Sequence, residues 1–72
     1  MNAAPVERVT NTIKVQRAMQ NLTQAELAEL AGVARRSINA VETGRMVPSI
    51  RLALQIARAL NVQVDALFRL DD

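Results

Sequence analysis

Arg35 and Arg36 stand side by side, and Asn39, Ala40 and Thr43 follow at helical spacing. At about 100° per residue, with Arg35 at zero, these five side chains fall between about 0° and 140°, while Ile38 and Val41 fall near 300° and 240°. One face is therefore polar, planar or short-chained, opens with two guanidiniums and is backed by an apolar stripe. A guanidinium matches the paired acceptors of guanine, and the major groove of duplex DNA admits a helix. The chemistry this face offers is hydrogen-bond recognition of base edges. Covalent chemistry is poorly provided for. The 72 residues include no His and no Cys, which removes the commonest general base, the commonest zinc ligand and any thiolate. Ser37 and Ser49 have no base at hand to activate them, and Asp71 with Asp72 reads as a frayed acidic tail rather than a metal site. The chain is expected to be no enzyme and to hold no cofactor and no metal.

Charge supports a polyanionic ligand through its distribution. The nine basic and seven acidic residues leave only +2, yet residues 30–58 carry +4 and the remainder −2. Such asymmetry predicts one basic face, with Arg51, Arg58 and Arg69 read as solvent-facing by default. Half the residues are hydrophobic and Phe68 is the only aromatic, so the core must be aliphatic. A chain this short supports one domain. The N-terminal residues lack the basic start and apolar run of a secretory signal. The segment Leu52 to Leu60 is broken by Gln55 and Arg58 and is too short to span a bilayer. A cytoplasmic protein with no membrane partner is expected.

The elements that must position the polar face are marked by their ends. Residues 1–10 read as an irregular or extended arm, and Asn11 as the cap of a first helix from Thr12 to Asn21. Thr23 with Glu26 three residues on makes a capping box, flanked by a Leu22–Leu27 staple. The second helix, Gln24 to Ala31, is stopped by Gly32. Only Gly32, Val33 and Ala34 precede the third, Arg35 to Thr43, which Gly44 ends. Ser49 caps a fourth helix, Ile50 to Leu60, and a short fifth covers Val64 to Phe68. Leu27, Ala28, Leu30, Ile38, Val41, Leu52, Leu54, Ile56 and Leu60 are the expected core. With no strand-length alternation, these helices describe an all-α domain. Two helices joined by a three-residue turn with Gly, the second bearing the polar face, is a helix-turn-helix arrangement.

The run Thr23-Gln24-Ala25-Glu26-Leu27-Ala28, then Ala31-Gly32-Val33, then Ser37-Ile38-Asn39-Ala40-Val41-Glu42-Thr43-Gly44-Arg45 and Pro48-Ser49, closely resembles the phage Cro/repressor-type (XRE-like) helix-turn-helix family. The likeness continues through Ile56-Ala57-Arg58-Ala59-Leu60 and Asp65-Ala66-Leu67-Phe68. It covers roughly residues 11–68, between an arm at 1–10 and a tail at 69–72, and implies a five-helix lambda-repressor-like domain, with a short terminal strand pair as an option. By resemblance, Arg35, Arg36, Asn39 and Ala40 occupy base-reading positions. Gln24, Ser37, Thr43 and Arg45 occupy positions that meet phosphates, Gln24 with help from its helix N-terminus. Arg17 and Glu42 match an ion pair that locks the first helix to the third. Two features depart from the family pattern. Ala34 stands where Ser or Thr usually caps the third helix, and Gln16 stands where an aliphatic residue usually precedes Arg17, leaving Val15 and Met19 on a stripe away from Ile13.

The resemblance implies a small regulator of transcription, most simply a repressor, acting on a double-stranded DNA operator. With no room for a small-molecule effector domain, specificity implies a homodimer on pseudo-palindromic half-sites about 34–36 Å apart. The apolar candidates for the dimer interface are Val62, Val64, Leu67, Phe68 and Leu70, with Val6 and Val9 adding a strand pair. The alternatives are the same fold acting as an antitoxin or restriction–modification controller, and a protein-interaction module that has lost DNA binding. Arg35 and Arg36 argue against the last.

Overall fold

The computed structural model describes residues 8–71. Its order is β1 (Arg8–Asn11), α1 (Ile13–Met19), α2 (Gln24–Ala31), α3 (Arg35–Glu42), α4 (Ile50–Leu60), α5 (Val64–Leu67) and β2 (Phe68–Asp71). The five helices agree with the sequence reading, and the terminal strand pair it held as an option is present, so the domain is helical with a small sheet rather than strictly all-α. β1 and β2 pair antiparallel, with Val9 opposite Leu70 and Asn11 opposite Phe68. Residues 69–71 are thus a strand rather than a loose tail. The strand pair lies within one chain, and Val6 lies outside the described residues.

Side-chain caps start two helices. Thr23 Oγ1 accepts from Glu26 N at 3.0 Å while Thr23 N donates to Glu26 Oε1 at 2.9 Å, the reciprocal capping box. The Thr23 N–H, and then its hydroxyl, hold the Glu26 carboxyl below its ordinary pKa. Ser49 Oγ accepts from Leu52 N at 3.1 Å at the start of α4. Asn11 also acts as expected, its Oδ1 accepting from Ile13 N at 3.1 Å, although Thr12 holds the N-cap position of α1.

The first four helices end alike, each on a left-handed residue: Asn21, Gly32, Gly44 and Asn61. After α2, Gly32 N bonds Glu29 O and Val33 N bonds Ala28 O, the paired closure of a Schellman motif. The same pattern closes α4, where Asn61 N bonds Arg58 O and Val62 N bonds Ala57 O. Val33 and Val62 are thereby turned inward and pack on the core.

That core is Ile13, Leu27, Ala28, Ile38, Val41, Ile56, Ala57, Leu60 and Leu67. Three expected members are absent from it: Leu30 and Leu54 are 60% and 54% exposed, and Leu52 only packs against its edge. The cause is helix rotation. α2 buries Leu27, Ala28 and Ala31, and α4 buries Ala53, Ile56, Ala57 and Leu60, so each exposed Leu sits about 100° off its buried stripe. Small residues thus take inward positions on α2 and α4, which pack against each other. Leu52 is half-buried. Leu67 is fully buried within the single chain, which corrects its assignment to a dimer interface.

Only Ile13 of α1 is buried. The rest of its inner face is polar and tied by hydrogen bonds: Gln20 Nε2 donates to Leu60 O at 2.8 Å, and Arg17 Nη1 to Leu22 O at 2.9 Å. Val15 and Met19 face solvent, as the spacing of α1 implies.

Candidate nucleic-acid interface

α3 is held from three sides, which fixes where its polar face points. Ile38 and Val41 are buried beneath it. Asn11 Nδ2, from β1, donates to Val41 O at 3.0 Å. Arg17, from α1, meets Glu42 with two parallel bonds, Nε to Oε2 at 3.0 Å and Nη2 to Oε1 at 2.7 Å. The fork-on-carboxylate geometry supplies direction as well as attraction. The pair is the one ion pair among the described residues, with side chains 15% and 8% exposed. The Glu42 hydrogen bonds raise the pKa of Arg17 against the opposing effect of desolvation.

With its back so fixed, α3 presents Arg35 and Arg36 exposed and Ser37, Asn39 and Ala40 half-buried. The helix starts without side-chain help: Ala34 has extended N-cap geometry, φ −73° and ψ 144°, and makes no side-chain cap bond. One shallow concavity is lined by Gln24, Arg35, Arg36 and Asn39. A second holds Arg36, Ser37, Asn39, Ala40, Arg45 and Met46. The base-reading and phosphate-contacting positions named from sequence are therefore gathered around α3, with Gln24 at the first position of α2 beside them.

Thr43 differs from its sequence assignment in detail. Its hydroxyl donates to Asn39 O at 2.7 Å. A hydroxyl carries one proton, so a phosphate contact from Thr43 needs that bond to open. In the resting helix Thr43 secures the last turn of α3.

Two cations beside α3 escaped the sequence reading. Lys14 lines a groove shared with Gln24, Asn39 and Thr43, and Arg8 lines another with Thr43 and Gly44. No spacing rule along the chain links Arg8 to α3. The link is made by β1, whose pairing with β2 brings the N-terminal segment back to the end of α3.

Of the residues assigned to a dimer surface, Leu70 is 60% exposed, whereas Val62, Val64 and Phe68 are half-buried against the core. No helix among the described residues is long and apolar enough to cross a membrane, and they contain no cluster of potential metal ligands.

The arrangement has close parallels. Over 62 residues the chain is 42% identical to an uncharacterized HTH-type transcriptional regulator of Methanocaldococcus jannaschii, covering 86% of this chain and 94% of that protein. It is 48% identical over 61 residues to another from Methanothermobacter thermautotrophicus, covering 83% and 88%. Among solved structures, the restriction-modification controller protein C.AhdI from Aeromonas hydrophila superposes with a TM-score of 0.72 at 30% identity, over 75% of this chain and 82% of that one. The model of the helix-turn-helix family HTH_3 matches residues 13–67, and this chain belongs to that XRE-like helix-turn-helix family.

Proposed function

We propose that this protein binds double-stranded DNA as a small transcriptional regulator, laying α3 in the major groove. The observation that carries the reading is the outward face of α3: two exposed guanidiniums, then Asn39 and Ala40, on a helix whose back is fixed by Ile38, Val41 and the Arg17–Glu42 fork. Arg35 and Arg36 bond base edges, Asn39 does so within its shorter reach, and the Ala40 methyl makes apolar contact of the kind that suits a thymine methyl. Gln24, Ser37 and Arg45 meet the backbone on either side, joined by Thr43 once its hydroxyl is released. The work is done in the cytoplasm, and no catalytic step is involved, in keeping with a non-enzymatic family. A homodimer on a pseudo-palindromic operator supplies the specificity that one helix lacks.

Selection of binding sites from random duplex DNA tests the reading. Losing a bidentate guanine contact costs about 1–3 kcal/mol and relaxes preference at one base pair. Losing a phosphate contact weakens all sequences alike and lowers the salt slope by about one. The Arg35→Ala, Arg36→Ala double variant should select altered sites, and Arg45→Ala should keep the sites but lose affinity. A double variant with unaltered sequence preference removes the base-reading assignment. The likeness to C.AhdI favours one narrower reading, control of a restriction–modification operon, which binding to DNA upstream of such genes would support.

A further inference from the structure

Two outward stripes, on α2 and α4, share no residue with the grooves beside α3, and their chemistries are opposite. On α4, Ile50, Arg51, Leu54, Gln55 and Arg58 line one shallow groove, with no acid among them. Ile50, Leu54, Arg58 and Arg51 fall within about 100° of arc, so two aliphatic side chains lie beside two guanidiniums. Ile50 is 81% exposed and Leu54 54%. On α2, Ala25, Glu26, Glu29 and Leu30 are all exposed, and Leu30 falls about 40° from Glu26. This stripe joins one large aliphatic side chain to two carboxylates. Among the described residues, Glu29, Arg51 and Arg58 make no ion pair.

α2 and α4 pack against each other with their buried residues inward. The centre of each exposed stripe lies about 120° or more from the centre of the buried one, so the two stripes point away from that packing and cannot meet within one chain. Pairing the α4 groove with its own copy across a two-fold axis would set guanidiniums against guanidiniums. Pairing the α2 stripe with its own copy would do the same with carboxylates, and like charges in contact reject a partner. We propose that the α2 stripe of one copy docks on the α4 groove of the next, Leu30 against Ile50 and Leu54, and Glu29, flanked by Glu26, against Arg51 and Arg58. Such a contact is heterologous: each copy keeps one open face of each kind, and the array extends. It is far smaller than the roughly 20–30 residues a side of a stable complex. The contact is therefore weak between free copies and takes effect where DNA holds copies side by side. That role on DNA rests on the DNA-binding reading, whereas the contact itself does not.

Disulfide trapping tests the contact, because the chain has no cysteine of its own. Leu30→Cys and Leu54→Cys change exposed positions, so both variants keep the fold, which circular dichroism checks. Mixed at low salt, they should form the mixed disulfide about tenfold faster than either links to itself, the lower end of what charge steering supplies. Leu30→Cys with Met19→Cys, exposed on α1, sets the rate of chance collision. Near 1 M salt, where the screening length is about 3 Å, the excess should vanish. Adding Arg51→Glu to the Leu54→Cys chain should slow the mixed disulfide to the chance rate, and adding Glu29→Arg to the Leu30→Cys chain should then restore it. Both reversals suit their helices, an acid in the first turn of α4 and a base near the end of α2. Equal mixed and self rates, or a mixed rate indifferent to both reversals, overturn the proposal. A fast Leu54→Cys self-disulfide overturns it in favour of a two-fold α4 contact. The assay holds no DNA, so its failure leaves DNA binding untouched, and a chain that binds no DNA can still pass it. Duplex DNA added to the chain carrying both cysteines should lengthen the ladder of linked copies, and an unchanged ladder overturns the role on DNA alone.

Discussion

Arg17 shows how one side chain can replace an apolar contact. It sits on the inner face of α1, where packing alone would call for an aliphatic residue, and it spends three N–H groups on Glu42 Oε1, Glu42 Oε2 and Leu22 O. Removing either partner leaves the other without its counter-charge in a mostly desolvated position. That loss costs about 3–5 kcal/mol for a buried pair and under about 1 for an exposed one. With side chains 15% and 8% exposed, Glu42→Gln and Arg17→Met should each destabilise near the lower end of the buried range, about 3 kcal/mol. Chemical denaturation measures it, and shifts of a few tenths would mean that the pair is decorative. The double variant should lose less than the two singles added together, because the second change removes a charge already stranded.

At the scale of elements, the start of α3 is the weak point. Its first amides have no side-chain acceptor at Ala34, in contrast to Thr23 on α2 and Ser49 on α4. Ala34→Ser should stabilise the protein by about 0.5–2 kcal/mol, read as a raised melting temperature. An unchanged one would show that water already serves those amides equally well. The caps that used local chemistry were legible from sequence: the Thr23–Glu26 box, Ser49, and the stops at Gly32 and Gly44. Three features were not, for different physical reasons. Asn21 and Asn61 adopt left-handed conformations that Asn tolerates without requiring them, so neither signals a helix end as a glycine does. Leu30 and Leu54 face outward because the rotation of α2 and α4 is set by several small residues together, and a large apolar side chain read alone misleads. A terminal strand pair was an option, but its partners and register, which join residues about sixty positions apart and bring Arg8 beside α3, come only from the tertiary structure. Around the candidate site, the identities of the α3 side chains were readable, whereas the bond from Gln24 Nε2 to Asn39 Oδ1 and the commitment of the Thr43 hydroxyl depend on side-chain placement that no spacing rule encodes.

At the scale of the whole molecule, the proposed homodimer has a consequence for how tightly DNA is held. One α3 reaches only a few base pairs, and two tethered copies gain affinity because the second engagement becomes intramolecular. The surface for a second copy must exclude Leu67, which is fully buried within the single chain. A charge at position 67 would therefore unfold the protein rather than split a dimer. Leu70 is the better probe. Cross-strand partners share a face of a sheet, so Val9 and Leu70 continue the face on which Asn11 and Phe68 meet the helices. Leu70 nevertheless stays 60% exposed, an apolar side chain on the ribbon with no covering element among the described residues. We propose that a second copy covers it, with Val62, Val64 and Phe68 at the margin. Leu70→Glu should then remain folded, with a melting temperature close to the parent, and sediment as a monomer where the parent sediments as a dimer. Its affinity for a two-half-site operator should fall steeply. The slope of log affinity against log salt should drop toward half the parent value, since half the phosphate contacts are made per binding event. A parent that sediments as a monomer at tens of micromolar, or a Leu70→Glu variant that keeps both dimer and slope, would exclude this surface.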